Sequence, residues 1–276
     1  MMKNFFLCLV LMLSCAGFVA CGDDDDDNGG GSGTPEGTSL VNPKKVFTAG
    51  MPKTVDGYRL TLDDQGRVTK MASEWETVTI EYPIDTRAAK LSSPDVIMTV
   101  KNKNKWEIEF LITLNNQGFV SHCEETYYYK DEDPEFTLWD FEYSKDGYLQ
   151  KMVCSEGGNE TTTIKYSGGD ITDVFIVSKE DPSANAHYNI VYGSQSIENK
   201  GCVMLHDITF GIDLDEMGFA YYAGMLGKAT KHLPVTRVET LEDGTEDFYE
   251  SFEWELNADN MPVSMSAFDG RGEFTW

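Results

Sequence analysis

The chain has 276 residues and a formal net charge of −25, from 47 acidic against 22 basic side chains. Such a field repels phosphate backbones and anionic membrane surfaces, so nucleic acid is excluded as a partner class and solubility is favoured. The length suits one large β domain or two closely joined ones.

Residues 1–20 read as a secretory signal: Lys3 is the only charge, and Phe5 to Leu13 is an unbroken apolar run. That run is too short for a resident transmembrane helix. Small residues follow, and the signal ends in Phe18-Val19-Ala20-Cys21, which resembles a bacterial lipobox with Phe18 in place of the usual Leu. The resemblance implies cleavage before Cys21 and acylation of that residue. Two or more acyl chains hold a protein on a membrane where one is marginal. Five aspartates, Asp23 to Asp27, and a Gly/Ser-rich stretch follow. This composition cannot bury a core, so residues 21–43 are assigned as a tether. Residues 44–276 are the folded domain.

The domain opens with short apolar segments and then shows a twelve-residue unit. Leu60–Met71 (LTLDDQGRVTKM) returns as Ile112–Cys123, Phe141–Met152, Ile164–Phe175 and Trp254–Met265, with Ile212–Ala223 as a doubtful copy. Each unit begins apolar-x-apolar and reaches Gly66, Gly118, Gly147, Asp170, Asn260 or, in the doubtful copy, Gly218 at its seventh place. Those residue types tolerate the positive φ that a short hairpin loop requires. Between the units, segments such as Trp106–Leu114 alternate apolar and polar residues, the mark of a strand with one dry and one wet face. The pattern predicts an all-β fold: a long antiparallel meander of about a dozen to sixteen short strands. One stretch breaks it. Asp213 and Glu216 form a capping box, and Leu214, Met217, Tyr221 and Met225 have helical spacing, which predicts one short helix at 213–226. Such a helix covers a sheet face or plugs a barrel end.

The acidic leader, the Gly-turn hairpins and the segment Leu226–Pro234 (LGKATKHLP) together resemble a Bacteroidota lipoprotein family of unknown function with a porin-like fold. The resemblance implies a barrel-like antiparallel sheet over about residues 44–276 and carries no active site. The acid run after Cys21 also looks like the export signal that sends such lipoproteins to the outer leaflet of the outer membrane. Glu and Lys on the outward-reading strand faces point to a water-soluble barrel or half-barrel beside the membrane, since a membrane barrel needs an apolar outer band.

Candidate sites are few. Cys202 and His206 have the C-x-x-x-H spacing, but Val203, Met204, Leu205 and Ile208 favour a strand there, which holds them too far apart for one ion. Asp131, Asp133, Glu135 and Glu142 match places in a calcium loop, yet Phe136 stands where Gly makes the sharp turn. No metal and no cofactor is expected. There is no G-x-S-x-G, and His187 and His232 have no partner by motif. Of the domain's three cysteines, Cys123 and Cys154 sit on neighbouring hairpins as candidates for a bridge; the other reading is that Cys123, Cys154 and Cys202 are small buried apolar residues. Tyr127, Tyr128 and Tyr129 precede an acidic loop and Trp139 follows it. Rings beside carboxylates suit sugar stacking, and three consecutive tyrosines on a strand cannot all face inward. These four are the candidate ligand contacts.

The sequence therefore reads as a lipid-anchored, surface-exposed, non-enzymatic envelope protein that binds or scaffolds, a monomer with a glycan or an envelope protein as candidate partner. The main alternative is a carrier holding a lipid or other apolar ligand inside the barrel. The more distant one is a carboxylate-based glycan hydrolase.

Overall fold

In a computed structural model, the structure describes residues 40–83, 93–103, 105–130, 132–241, 245–268 and 270–276. The expected signal, Cys21 and most of the tether lie outside the described residues. The folded body is one compact unit, Thr38–Trp276. It begins earlier than expected: Val41 and Pro43, assigned to the tether, are buried beside Val46 and Phe47.

The strands in chain order are β1 (Thr54–Val55), β2 (Tyr58–Leu62), β3 (Val68–Ala72), β4 (Glu76–Glu81), β5 (Val96–Asn102), β6 (Trp106–Leu114), β7 (Val120–Tyr129), β8 (Glu135–Tyr143), β9 (Leu149–Cys154), β10 (Glu160–Ser167), β11 (Asp170–Ser178) and β12 (Ala186–Val191). Then come β13 (Ile197–Glu198), β14 (His232–Leu233), β15 (Thr236–Thr240), β16 (Glu246–Ser251), β17 (Glu253–Leu256), β18 (Pro262–Ser266) and β19 (Arg271–Thr275). From β2 to β12 each strand pairs antiparallel with the next. β12 pairs with β15, and β15 with β16. The chain bends at Phe252, whose N–H donates to Val235 O at 2.9 Å, and continues as β17 into the ladder β17–β18–β19. β1 then pairs with both β19 and β2. The circuit of pairings returns to its start, so the 17-stranded sheet is a nearly closed barrel. β13 and β14 form a separate two-stranded sheet.

The repeated hairpins are real, and local side chains make them. Asp63 Oδ1 accepts from Gln65 N and Arg67 N; Asn115 Oδ1 accepts from Gln117 N and Phe119 N; Asn257 Oδ1 accepts from Asp259 N and Met261 N. The residue three places on is left-handed in each, Gly66, Gly118 and Asn260, with φ of +79°, +85° and +59°. This is a turn followed by a bulge, and each register shifts there. Gly118 is required twice over, because a Cβ on it would lie 2.1 Å from Leu40 O. The fourth unit departs from expectation. Its left-handed residues are Gly168 and Gly169, not Asp170, which begins β11. The doubtful unit at 212–223 is no hairpin.

Strand alternation sorts the side chains. Inward rows run Ile80–Met98–Phe110–Glu125 and Val96–Ile112–Cys123–Trp139–Cys154 across adjacent strands, and nearly all are buried. Outward positions carry Glu107, Glu109, Glu124, Asp140 and Glu142. Charges spread along those strands are the opposite of a lipid-facing band.

The interior is filled by the chain between β12 and β15. This insertion enters at the end that carries the Gly turns. Val120 N donates to Met225 O, Lys228 N to Gly147 O and Lys231 N to Gly169 O, so it is laced to three hairpins. It contains α1 (His206–Phe210), a 3-10 turn at Asp215–Gly218 and α2 (Phe219–Tyr222). The expected helix at 213–226 is thus present but short. Its start is Asp215, at φ +44°, where Asp213 Oδ1 accepts the Asp215 N–H in place of the expected capping box. It stops before Gly224, at φ +79°. Leu214, Met217, Ala220, Tyr221, Met225 and Leu226 are all buried. Phe47 packs on Tyr221 and Tyr222 at 5.6 and 6.0 Å, so the N-terminal segment closes that end.

Candidate ligand site

The opposite end of the barrel is the mouth. Its rim is made by the connections opposite the repeated hairpin turns, and its inner wall carries Tyr58, Glu76, Trp106, Tyr127 and Tyr129.

The four aromatic candidates divide. Tyr127 and Tyr129 lie on the inward row of β7 and stack at 4.2 Å, with Trp106 5.5 Å from Tyr127. They line the mouth. Tyr128 points to the outside of the barrel and is exposed. Trp139 is core: it is 2% exposed, stacks on Phe141, and its Nε1–H donates to Glu125 at 2.7 Å. It is not a ligand contact, because the β8 register sets it between Cys123 and Cys154 on the inner face.

That same register answers the cysteine question. Cys123 and Cys154 are two strands apart with Trp139 between them, and all three thiols are free. Ladder spacing of roughly 4.8 Å puts their backbones about 10 Å apart, beyond reach of a bridge. Cys123 and Cys154 are buried as small apolar residues, while Cys202 is half-buried. The strand expected at 203–208 is instead an extended entry followed by α1. Of the calcium pattern, Asp131 lies outside the described residues. Glu135 and Glu142 are at opposite ends of β8, roughly 23 Å apart by strand rise, so they cannot share an ion. Among the described residues no cluster of ligating side chains suits a metal. Three of the four histidines have carboxylate partners: Asp140 for His122, Asp173 for His187 and Asp170 for His232. Strand pairing supplies the first two, and β11 meeting the insertion supplies the third, so no local motif announces them.

Sequence reasoning missed the main feature. Between the insertion and the wall made by β1, β2 and β3 lies a cavity of about 530 Å³. Its apolar surface comes from Met71, Met204, Leu205, Ile208, Ile212 and Phe219, with the Phe219 ring 4.9 Å from Tyr58. The Tyr58 hydroxyl is fixed by a hydrogen bond to Glu76 Oε2, whose other oxygen accepts from Asn102 Nδ2. His206 also lines the cavity. It is 9% exposed, packs edge-on to Tyr221, and its ring nitrogens have no hydrogen-bond partner among the described residues. Burial alone pushes its pKa down to about 4, so it is neutral at physiological pH.

Carboxylates surround this space. Asp207, Asp213 and Asp215 line it and are exposed to solvent. Burial, then Asp213, Glu216, Glu156 and Asp207, push Asp215 up to about 6. Burial and Asp213 raise Asp207 against the pull of Arg237. Deeper in, burial pushes Glu125 up to about 7 despite the Trp139 hydrogen bond, with Asp215, Glu156 and Glu216 adding to it. The cation facing this cluster, Arg237, is engaged: Nη1 donates to Asp207 O at 2.7 Å, Nη2 to Glu250, and the guanidinium lies 5.0 Å from the Tyr188 ring.

Residues 60–264 match a family model described as "Domain of unknown function (DUF4595) with porin-like fold". Solved structures similar to this chain include a porin-like protein from Bacteroides uniformis ATCC 8492, at 17% identity and TM-score 0.55, covering 79% of this chain and 89% of that one. A porin-like protein from Bacteroides vulgatus ATCC 8482 aligns at 14% identity and TM-score 0.57, covering 82% of this chain and 99% of the other. At these identities the likeness shows the fold. No curated protein matches the chain.

Proposed function

The chain belongs to the family of domains of unknown function with a porin-like fold, and from that premise we propose a lipid-anchored envelope protein that binds a small ligand in the mouth of a plugged barrel. The observation that carries this reading is the cavity of about 530 Å³ beside the insertion. Its size falls in the range of small-molecule sites, and it combines an apolar wall with a few converging polar groups. The rest of the interior is filled by the insertion, which argues against a pore and against a cargo threaded along the barrel axis. Binding is favoured over hydrolysis because Glu125, the carboxylate pushed furthest toward an acid's working range, is 6% exposed and tied to Trp139. Tyr127 and Tyr129 extend the site toward the rim.

Native mass spectrometry of the full chain purified from its own cells tests the binding role. An added mass that disappears on denaturation is expected; a bare acylated polypeptide contradicts it. Anchoring is tested separately. Cys21→Ala is expected to move the protein from the membrane to the soluble fraction, and persistence in the membrane contradicts acylation at Cys21.

A further inference from the structure

We propose that the mouth cavity receives a small organic ammonium ion, its apolar or aromatic body against Met204, Ile208 and Phe219 and its charge among Asp207, Asp213 and Asp215. This deepens the reading of the cavity as a ligand site and rests on it.

Three independent features converge. The first is the charge. Asp207, Asp213 and Asp215 crowd one opening, and the facing cation, Arg237, is already held by Asp207 O, Glu250 and the Tyr188 ring. An anion entering here meets only repulsion, and a neutral molecule leaves the repulsion in place. A cation relieves it. The second is His206. Its imidazole is 9% exposed, makes no hydrogen bond among the described residues, and borders the open cavity. Being neutral, it does not repel an ammonium, and its free lone pair accepts an ammonium N–H. The third is the wall. Tyr58, Phe219 and Tyr222 offer ring surface, which suits a cation beside an apolar body. A bare metal ion does not satisfy this arrangement, since no ligating cluster exists among the described residues and half the wall is hydrocarbon.

Three probes of one skeleton test the inference by calorimetry on the full chain: tryptamine, a cation; tryptophol, neutral; and indole-3-propionate, an anion. Tryptamine is expected to bind about tenfold more tightly than tryptophol, the equivalent of one favourable charge contact, with indole-3-propionate weakest. The double variant Asp213→Asn/Asp215→Asn is expected to bind tryptamine and tryptophol alike. It removes repulsion, so its unfolding temperature is expected to equal or exceed that of the parent, which separates lost charge from lost fold. His206→Phe is expected to weaken tryptamine while leaving tryptophol within about twofold. Equal binding of tryptamine and tryptophol to the parent overturns the ammonium assignment and leaves the cavity as a ligand site. Binding of none of the three overturns both.

Discussion

Glu125 shows how a residue's surroundings decide its chemistry. In sequence it is one of 47 acids, beside Glu124 on a strand. The β7 register turns Glu124 outward and Glu125 into the core, where Trp139 Nε1–H donates to it. Its folded pKa of about 7 stands above the ordinary 4.5. Between those values the native state holds a proton that the unfolded state has released, so stability falls as pH rises through the interval. The loss is on the order of 2–3 kcal/mol for this group. Asp215, raised to about 6, adds to it with the same sign. Urea unfolding at pH 5 and pH 8 checks this: the parent is expected to be less stable at pH 8, and Glu125→Gln, which keeps an acceptor for Trp139, is expected to lose much of the difference. Trp139 was misread for a related reason. Its place after an acidic loop suggested the surface, and only the pairing of β8 with β7 and β9 reveals that it faces the core. Tyr127 and Tyr129 shared a strand face by simple alternation, but alternation does not say which face is inside.

At the scale of elements, legibility followed locality. The hairpins could be read because Asp63, Asn115 and Asn257 bond to backbone two and four residues away, within the turn itself. The fourth hairpin misled because Gly168-Gly169 offered a tighter turn one step before Asp170. The insertion was harder. Its helical spacing was visible, but Asp215 at positive φ and Gly224 trim the helix, and its packing partners lie on strands far away in sequence. What the sequence could show was a stretch apolar on most sides, and burial all round is what a plug requires. Met217, 0% exposed within it, tests this role. Met217→Ala is expected to cost about 2–5 kcal/mol in chemical denaturation, while the transition stays single. A second, earlier transition confined to the insertion would show that the plug is an accessory rather than the core.

For the whole molecule, the barrel class was legible from repeated hairpins, while its closure was not. Closure depends on β1, two residues long, joining β19 to β2. The cavity was not legible at all, because Val55, Tyr58 and Met71 meet Met204 through Tyr222 only after the insertion folds back inside. The proposed ligand site is this cavity. It is tested most directly by methyl NMR of the full chain with ¹³C-methyl methionine, on adding the small-molecule extract of the protein's own cell envelope. Met71 and Met204 line the cavity, whereas Met98 and Met152 are buried elsewhere on the barrel's inner face. The Met71 and Met204 signals are expected to shift while those of Met98 and Met152 stay in place. Unmoved Met71 and Met204 signals, or shifts shared by all four, would contradict it.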